Sequence, residues 1–218
     1  GASKLNGKRI LVSAGGTQEA IDPVRYIGNR SSGKMGFALA EEAAMRGATV
    51  QLVTGPTSIA TRATGVRRTD VVSAAQMAEA CKATASTSDV VIMSAAVADY
   101  RPANPATSKI KKKDSALSID LEPTEDILAW MGAHKPSGQV LVGFALETDD
   151  AEAHAQGKLE RKNLDLIVLN SLKDAGAGFG HDTNKVTLIG KGTKAEPLPL
   201  LSKAEVARAI LDRIETLL

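Results

Sequence analysis

A chain of 218 residues, 43% of them hydrophobic, is long enough to bury one substantial core, and a single α/β domain is the expectation for it. Its 27 basic and 25 acidic side chains leave a formal charge of +2, too even a balance for a general grip on nucleic acid or an anionic membrane, so any anion has to be met locally. The single cysteine, Cys81, has no partner for an internal disulfide, and His134, His154 and His181 lack ligand-type spacing, which sets structural zinc aside and fits a reducing compartment.

In chain order, residues 1–6 read as a tag or linker remnant of a longer polypeptide, leaving 7–218 as one domain. The N-terminus lacks the order of a signal peptide, and no apolar stretch approaches the ~20 residues of a membrane helix. A cytoplasmic location is therefore expected. RILVSA at 9–14 reads as a buried parallel strand running into Gly15 and Gly16. Apolar residues recur at helical spacing over 34–46 and stop at Gly47, which suits a left-handed cap. Strands are expected at 48–53 and 66–72, and Ser73 with Gln76 forms a capping box for a helix to about Ala85. DVVIMS at 89–94 is the next strand. This β-α-β alternation predicts a Rossmann-like, doubly wound, mostly parallel sheet with helices on both faces and ligands at the C-terminal strand ends.

The second half is less regular. A basic loop spans 108–114, a helix is expected over 124–134, a strand over 139–145, a helix over 150–163 and a strand over 166–170. A glycine-rich loop at 171–183 precedes a candidate strand at 184–189, which predicts a small antiparallel extension. Ser202 and Glu205 form a second capping box, opening a helix that runs nearly to the C-terminus.

Glycines after the first strand suggest a nicotinamide site, but the turn reads GGTQEA in place of G-x-G-x-x-G, and the second strand ends VTGP without the acid that would hold a ribose. GNRSSGK at 28–34 matches the start of a P-loop, yet Met35 stands where Ser or Thr should bind magnesium, and DPVR precedes it in place of a buried strand. Ser31, Ser32, Gly33 and Lys34 still open a helix whose free N–H groups favour an anion; the alternative is a serine-capped helix without a ligand. Asp99 lies just beyond a strand end, as a site acid or a solvated loop acid. Four lysines at positions 109 and 111–113 make either a solvated loop or a flap over polyphosphate, and Lys158 and Lys162 share one helical face.

Together these segments resemble the phosphopantothenoylcysteine synthetase family, the ligase half of the bacterial bifunctional coenzyme A biosynthesis protein. The likeness rests on AGGTQEAIDPVRYIGNRSSGKMG at 14–36, AAVADYRP at 95–102, KIKK at 109–112, VGFALET at 142–148, KLERKNLDLIVLN at 158–170 and GFGHDTNKV at 178–186. Gly28 departs from the family pattern, which has Thr or Ser there, with a small local loss of hydrogen bonding expected. The resemblance implies an enzyme that uses CTP and Mg2+ to activate 4′-phosphopantothenate as an acyl-cytidylate and then couples it to L-cysteine, releasing pyrophosphate and CMP. It implies a nucleotide site of Met93, Ser94, Ala95, Asp99, Lys109, Glu125, Asp126, Ile127, Leu128, Phe144, Lys158 and Lys162, with Asp99 also the possible metal contact. Asn29, Arg25 and Lys109 are the implied catalytic residues, Asn29 chiefly in the second half-reaction. Residues Ser31 to Lys34 are the candidate cradle for the substrate's terminal phosphate. A homodimer, joined near 172–189, and an upstream FMN-dependent decarboxylase domain are further expectations. ATP in place of CTP, and a nicotinamide-dependent reductase, are the rival readings.

Overall fold

The structure is a computed structural model and describes residues 1–171 and 183–218. The first half contains β1 (Arg9–Ala14), β2 (Gln18–Ala20), β3 (Tyr26–Gly28), α1 (Lys34–Met45), β4 (Thr49–Thr54), β5 (Val66–Asp70), α2 (Ala74–Ala85) and β6 (Val90–Met93). The second contains β7 (Tyr100–Pro102), β8 (Leu121–Pro123), α3 (Ile127–Ala133), β9 (Val140–Glu147), α4 (Ala151–Arg161) and β10 (Leu166–Ser171). After the undescribed residues come β11 (Thr183–Asn184), β12 (Val186–Gly190), β13 (Glu196–Pro197), β14 (Leu201–Ser202) and α5 (Lys203–Glu215).

The main sheet runs β13-β12-β10-β9-β6-β1-β4-β5. Its six strands from β10 to β5 are parallel, and the chain reverses its direction of travel between β1 and β6, which makes that gap the switch point of a doubly wound sheet. The antiparallel β12 and β13 form the expected extension beside β10.

Strand alternation divides the core in two. Ile10, Val12, Val90, Ile92 and Val142 face α1 and α5, where Phe37, Leu39, Ala40, Ile210 and Leu211 cover them. Leu11, Val91, Met93, Leu141 and Ile167 face α2, α3 and α4, against Met77, Cys81, Met131 and Leu159. Burial on that face pushes the Cys81 thiol up to about 12, so it is an inert packing residue rather than a nucleophile. Both predicted capping boxes form, and Gly47 takes the left-handed conformation, φ 92°, that ends α1. Among the described residues no helix is long and apolar enough to cross a membrane.

Several boundaries differ from expectation. α3 starts at Ile127 because Asp126 caps it, accepting the Ala129 N–H at 3.0 Å, and β5 stops at Asp70. The pairs β2/β3, β7/β8 and β11/β14 were not foreseen, since strands of two or three residues carry no readable period. Residues 1–6 are not all linker: Leu5 is fully buried in the α1/α5 core.

Gly36 sits where α1 crosses the end of β1, and a Cβ there would overlap the Ala14 Cβ and press on Ser94 Oγ. Gly36→Ala should therefore cost about 1–3 kcal/mol of stability through forced separation of helix and sheet, measured by urea unfolding. A loss below about 0.5 kcal/mol would show that the crossing relaxes freely.

Candidate active site

The site grows from the divergence of β1 and β6. Ladder bonding does not stop at the strand ends: Ser94 N–H donates to the Ser13 carbonyl at 3.2 Å, Ala96 N–H to Gly15 O at 2.8 Å, and Thr17 N–H to Ala96 O at 3.2 Å. The buried Ser13 hydroxyl accepts from Ala95 N–H, and Thr17 Oγ1 accepts from Ala98 N–H at 2.8 Å. Asn29 then reaches over this seam, its amide 3.4 Å from the Val97 carbonyl. The loop carrying Asn29 is thereby held beside the loop carrying Asp99.

Two cavities open at this edge. The larger, about 600 Å³, is lined by Gly15, residues 28–36, Ser94 to Val97, Asp99, Phe144, Lys158, Asn170, Asn184 and Lys203. The smaller, about 330 Å³, is lined by Ser13, Met93, Ala95, Val97, Asp99, residues 124–128, Phe144, Lys158 and Lys162. They share Ala95, Val97, Asp99, Phe144 and Lys158. Met93, Glu125, Asp126, Ile127, Leu128 and Lys162, expected to contact nucleotide, fall only in the smaller one. Asn29 and the turn Ser31, Ser32, Gly33 and Lys34 fall only in the larger, with Ser94 beside them.

Charge separates the two. Of the charged side chains around the larger cavity, Arg30, Lys34, Lys158 and Lys203 are cationic and Asp99 is anionic. α1 points its N-terminus into this space, and its N-cap is Gly33, left-handed at φ 86° and without a side-chain capping bond, although Ser32 Oγ takes the Lys34 N–H at 3.2 Å. The N-cap position thus falls to Gly33, with Ser32 reaching one first-turn N–H from just outside the helix. The smaller cavity mixes Asp99, Glu125 and Asp126 with Lys158 and Lys162. Burial pushes the Asp126 carboxyl up, but the Lys162 ammonium at 2.9 Å and the Ala129 N–H outweigh it and hold it below its ordinary value. Lys158 donates to the Phe144 carbonyl at 2.8 Å; desolvation, then the like charge of Lys162, lowers its pKa.

Arg25 and Lys109 line neither cavity. Arg25 pairs with Asp22, and Lys109 is exposed in the basic loop. Asn170, Asn184 and Lys203 were missed by sequence reasoning. Asn170 is the penultimate residue of β10, so the strand-end logic that found Asp99 would have found it too; its Oδ1 is buried without a hydrogen-bond partner among the described residues. Asn184 and Lys203, joined by a hydrogen bond, reach the cavity only through the antiparallel return of the chain. Among the described residues no three His, Cys, Asp or Glu side chains gather as a metal cage, so a magnesium ion here would rest on few protein ligands, Asp99 being the one carboxylate that both cavities share.

These features define a doubly wound α/β protein with a mainly cationic crevice and an adjoining mixed-polarity pocket at its switch point. Residues 5–218 match the family described as DNA/pantothenate metabolism flavoprotein C-terminal domain, and the chain belongs to that family. It is 47% identical, over 99% of its length, to the coenzyme A biosynthesis bifunctional protein CoaBC of Bacillus subtilis (strain 168), covering 53% of that protein. It is 51% identical to a cysteine/cysteine sulfinic acid decarboxylase of an unknown prokaryotic organism, over 98% of this chain and 59% of the other. The chain thus spans about half the length of the curated relatives it matches. A crystal structure of the C-terminal domain of a CoaBC superposes with a TM-score of 0.82 at 45% identity, covering 97% of this chain and 95% of the other.

The depressed Lys158 has a pH consequence. A polyphosphate placed beside it would favour its charged form, so polyphosphate affinity should decline with rising pH starting below the ordinary lysine value of 10.5. Lys158→Arg, charged throughout, should remove that decline; calorimetric titration between pH 7 and about 10 reads it, and identical profiles for the two proteins would exclude Lys158 from the anion's surroundings.

Proposed function

We propose that this chain is the ligase unit that joins 4′-phosphopantothenate to L-cysteine at the expense of CTP, in coenzyme A biosynthesis. The observation that carries the reading is the meeting of the two cavities at Asp99, Phe144 and Lys158. A two-substrate activation needs such a junction, because the carboxylate of one ligand must approach the α-phosphate of the other in line. The relatives named for coenzyme A biosynthesis support the same reading.

A carboxylate is a poor acylating agent because its leaving group would be oxide. Its oxygen attacks the α-phosphorus of CTP, the bond to the β-phosphate oxygen breaks, and pyrophosphate departs. The cysteine amine then attacks the acyl carbon of the mixed anhydride, CMP leaves, and the ammonium proton is lost. The base and ribose occupy the smaller cavity, and Lys158 and Lys162 offset charge on the phosphates at the junction. Mg2+, when bound, supplies further charge neutralisation to the triphosphate. Phosphopantothenate lies in the larger cavity with its phosphate on the N-terminus of α1 at Ser31, Ser32, Gly33 and Lys34, where N–H groups and dipole favour an anion. Asn29, at the seam, donates its amide to the acyl oxygen as cysteine attacks. Arg25 serves the same half-reaction, and Lys109 offsets charge on the leaving pyrophosphate.

ATP in place of CTP is the near alternative. A nicotinamide reductase is disfavoured by β4, which ends at Thr54 and Gly55 with no acid for a ribose. Thermal shift with Mg-CTP, Mg-ATP and NADPH separates the three, since only a bound ligand raises apparent stability. The protein also forms a homodimer in this reading. Exposed Val24, Tyr26, Tyr100, Leu117 and Leu121 on and beside the β2/β3 and β7/β8 pairs are a surface suited to it. The region first expected to make the contact, 172–189, lies largely outside the described residues. A fused FMN-dependent decarboxylase domain accounts for the remaining half of the bifunctional relatives.

Incubation with Mg-CTP, 4′-phosphopantothenate and cysteine should yield CMP and the amide by mass spectrometry. Asn29→Ala should keep pyrophosphate release within about threefold yet cut amide formation by about 100-fold, so that the acyl-cytidylate accumulates; equal loss in both steps rejects its role. Lys109→Gln should slow pyrophosphate release itself by about tenfold or more, and an unchanged rate removes it from the first step.

A further inference from the structure

Asp22 is the only acid between Glu19 and Glu41 in sequence, and its side chain is wholly buried. Buried carboxylates persist only when their lone pairs are filled. Its Oδ1 accepts the N–H groups of Val24 and Arg25, both at 2.8 Å. Its Oδ2 accepts from Arg25 Nε at 3.0 Å, from Arg25 Nη2, and from the backbone N–H of Ile110, also at 3.0 Å. Arg25 Nη2 in turn donates to the Ile110 carbonyl at 2.6 Å. Both peptide groups of one residue in the basic loop are thus held by a turn more than eighty positions away in the chain. Four residues earlier, Ala106 N–H bonds to the Ile21 carbonyl at 2.9 Å. Beyond Ile110, every residue from Lys111 to Asp120 is exposed.

We propose that Asp22 is a positioning residue that pins the root of the lysine-rich loop, so that Lys109, flanked by the anchors at Ala106 and Ile110, has a fixed reach while Lys111, Lys112 and Lys113 swing freely. The role assigned to Lys109 rests on the ligase reading; the pinning does not. Within the ligase reading it accounts for the choice of Lys109 among four neighbouring lysines: a lysine on a fixed backbone loses less entropy on meeting an anion than one on a loose loop. The carboxylate cannot be replaced by an amide of the same shape, because both oxygens face only donors and either orientation of Asn sets an NH2 against them. The Arg25 guanidinium holds Asp22 well below the usual carboxylate range, so the anchor stays ionised at neutral pH.

The test is limited trypsinolysis of the ligand-free chain, read by mass spectrometry as the rate of cutting after Lys109 relative to cutting after Lys112. Asp22→Asn and Asp22→Ala should raise that ratio by about tenfold, since cleavage of a pinned segment requires local opening first. Global destabilisation would instead raise cutting after Arg46 and Lys82 as well. An unchanged ratio in folded variants overturns the pinning. If neither variant folds, hydrogen exchange of the parent decides: the Ile110 amide should be protected while those of residues 112–118 exchange freely, and equal exchange overturns the idea. In the activity arm, Asp22→Asn should slow CTP-dependent pyrophosphate release in the parent but add nothing in a Lys109→Gln background. A raised trypsin ratio with unchanged pyrophosphate release keeps the pin and rejects the role of Lys109 in the ligase reading.

Discussion

The arrangement depends on continuous main-chain pairing where β1 and β6 part. Two parallel strands whose connections depart to opposite faces ordinarily leave a gap lined by unpaired peptide groups, and an unpaired buried peptide group is costly. Here the gap is closed by pairing carried three residues past the strand ends, from Ser94 on Ser13 to Thr17 on Ala96 and Ala98 on the Thr17 hydroxyl. The Thr124 hydroxyl, bonded to the Ala98 carbonyl at 2.6 Å, extends the seam to the segment that opens α3. Three loops from distant parts of the chain are therefore tied into one wall.

That wall also explains how charge is distributed. Lys158 is inserted from α4 beneath the seam with its ammonium on the Phe144 carbonyl, a position that desolvation penalises. The penalty is offset in part by Asp126, Glu147 and Asp99 nearby. Lys162, one helical turn away, is paired to Asp126 on the wall of the smaller cavity.

How far the sequence could be read follows from the range over which each signal acts. The parallel core, both capping boxes and the Gly47 terminus were legible because strand runs, helical periods and caps are encoded within about ten residues. So was the separation of Asp99 from Ser31, Ser32 and Gly33 onto different loops at one sheet edge, which follows from the doubly wound topology. The division into two cavities was not legible, because it depends on which sheet face each loop turns toward. Nor was the pairing of Asp22 with Ile110, whose partners are 88 positions apart. Family likeness filled part of that gap by naming residues 125–128 and Phe144, which periodicity alone would have left as a helix start and a strand.

Gly28 joins the two kinds of information. It stands where the family pattern has Thr or Ser, and the expectation was a lost hydrogen bond. In the structure it pairs with Gln18 across β2/β3, and a Cβ there would lie 2.7 Å from the Thr17 carbonyl oxygen. A side chain at this position must therefore push β3, which leads into Asn29, away from Thr17, the residue that closes the seam, while glycine lets the two backbones approach. The substitution is better understood as a change of spacing than as a missing bond. Because Asn29 follows directly in sequence and reaches back across the same seam to Val97, that spacing sets how far its amide stands over the junction of the two cavities.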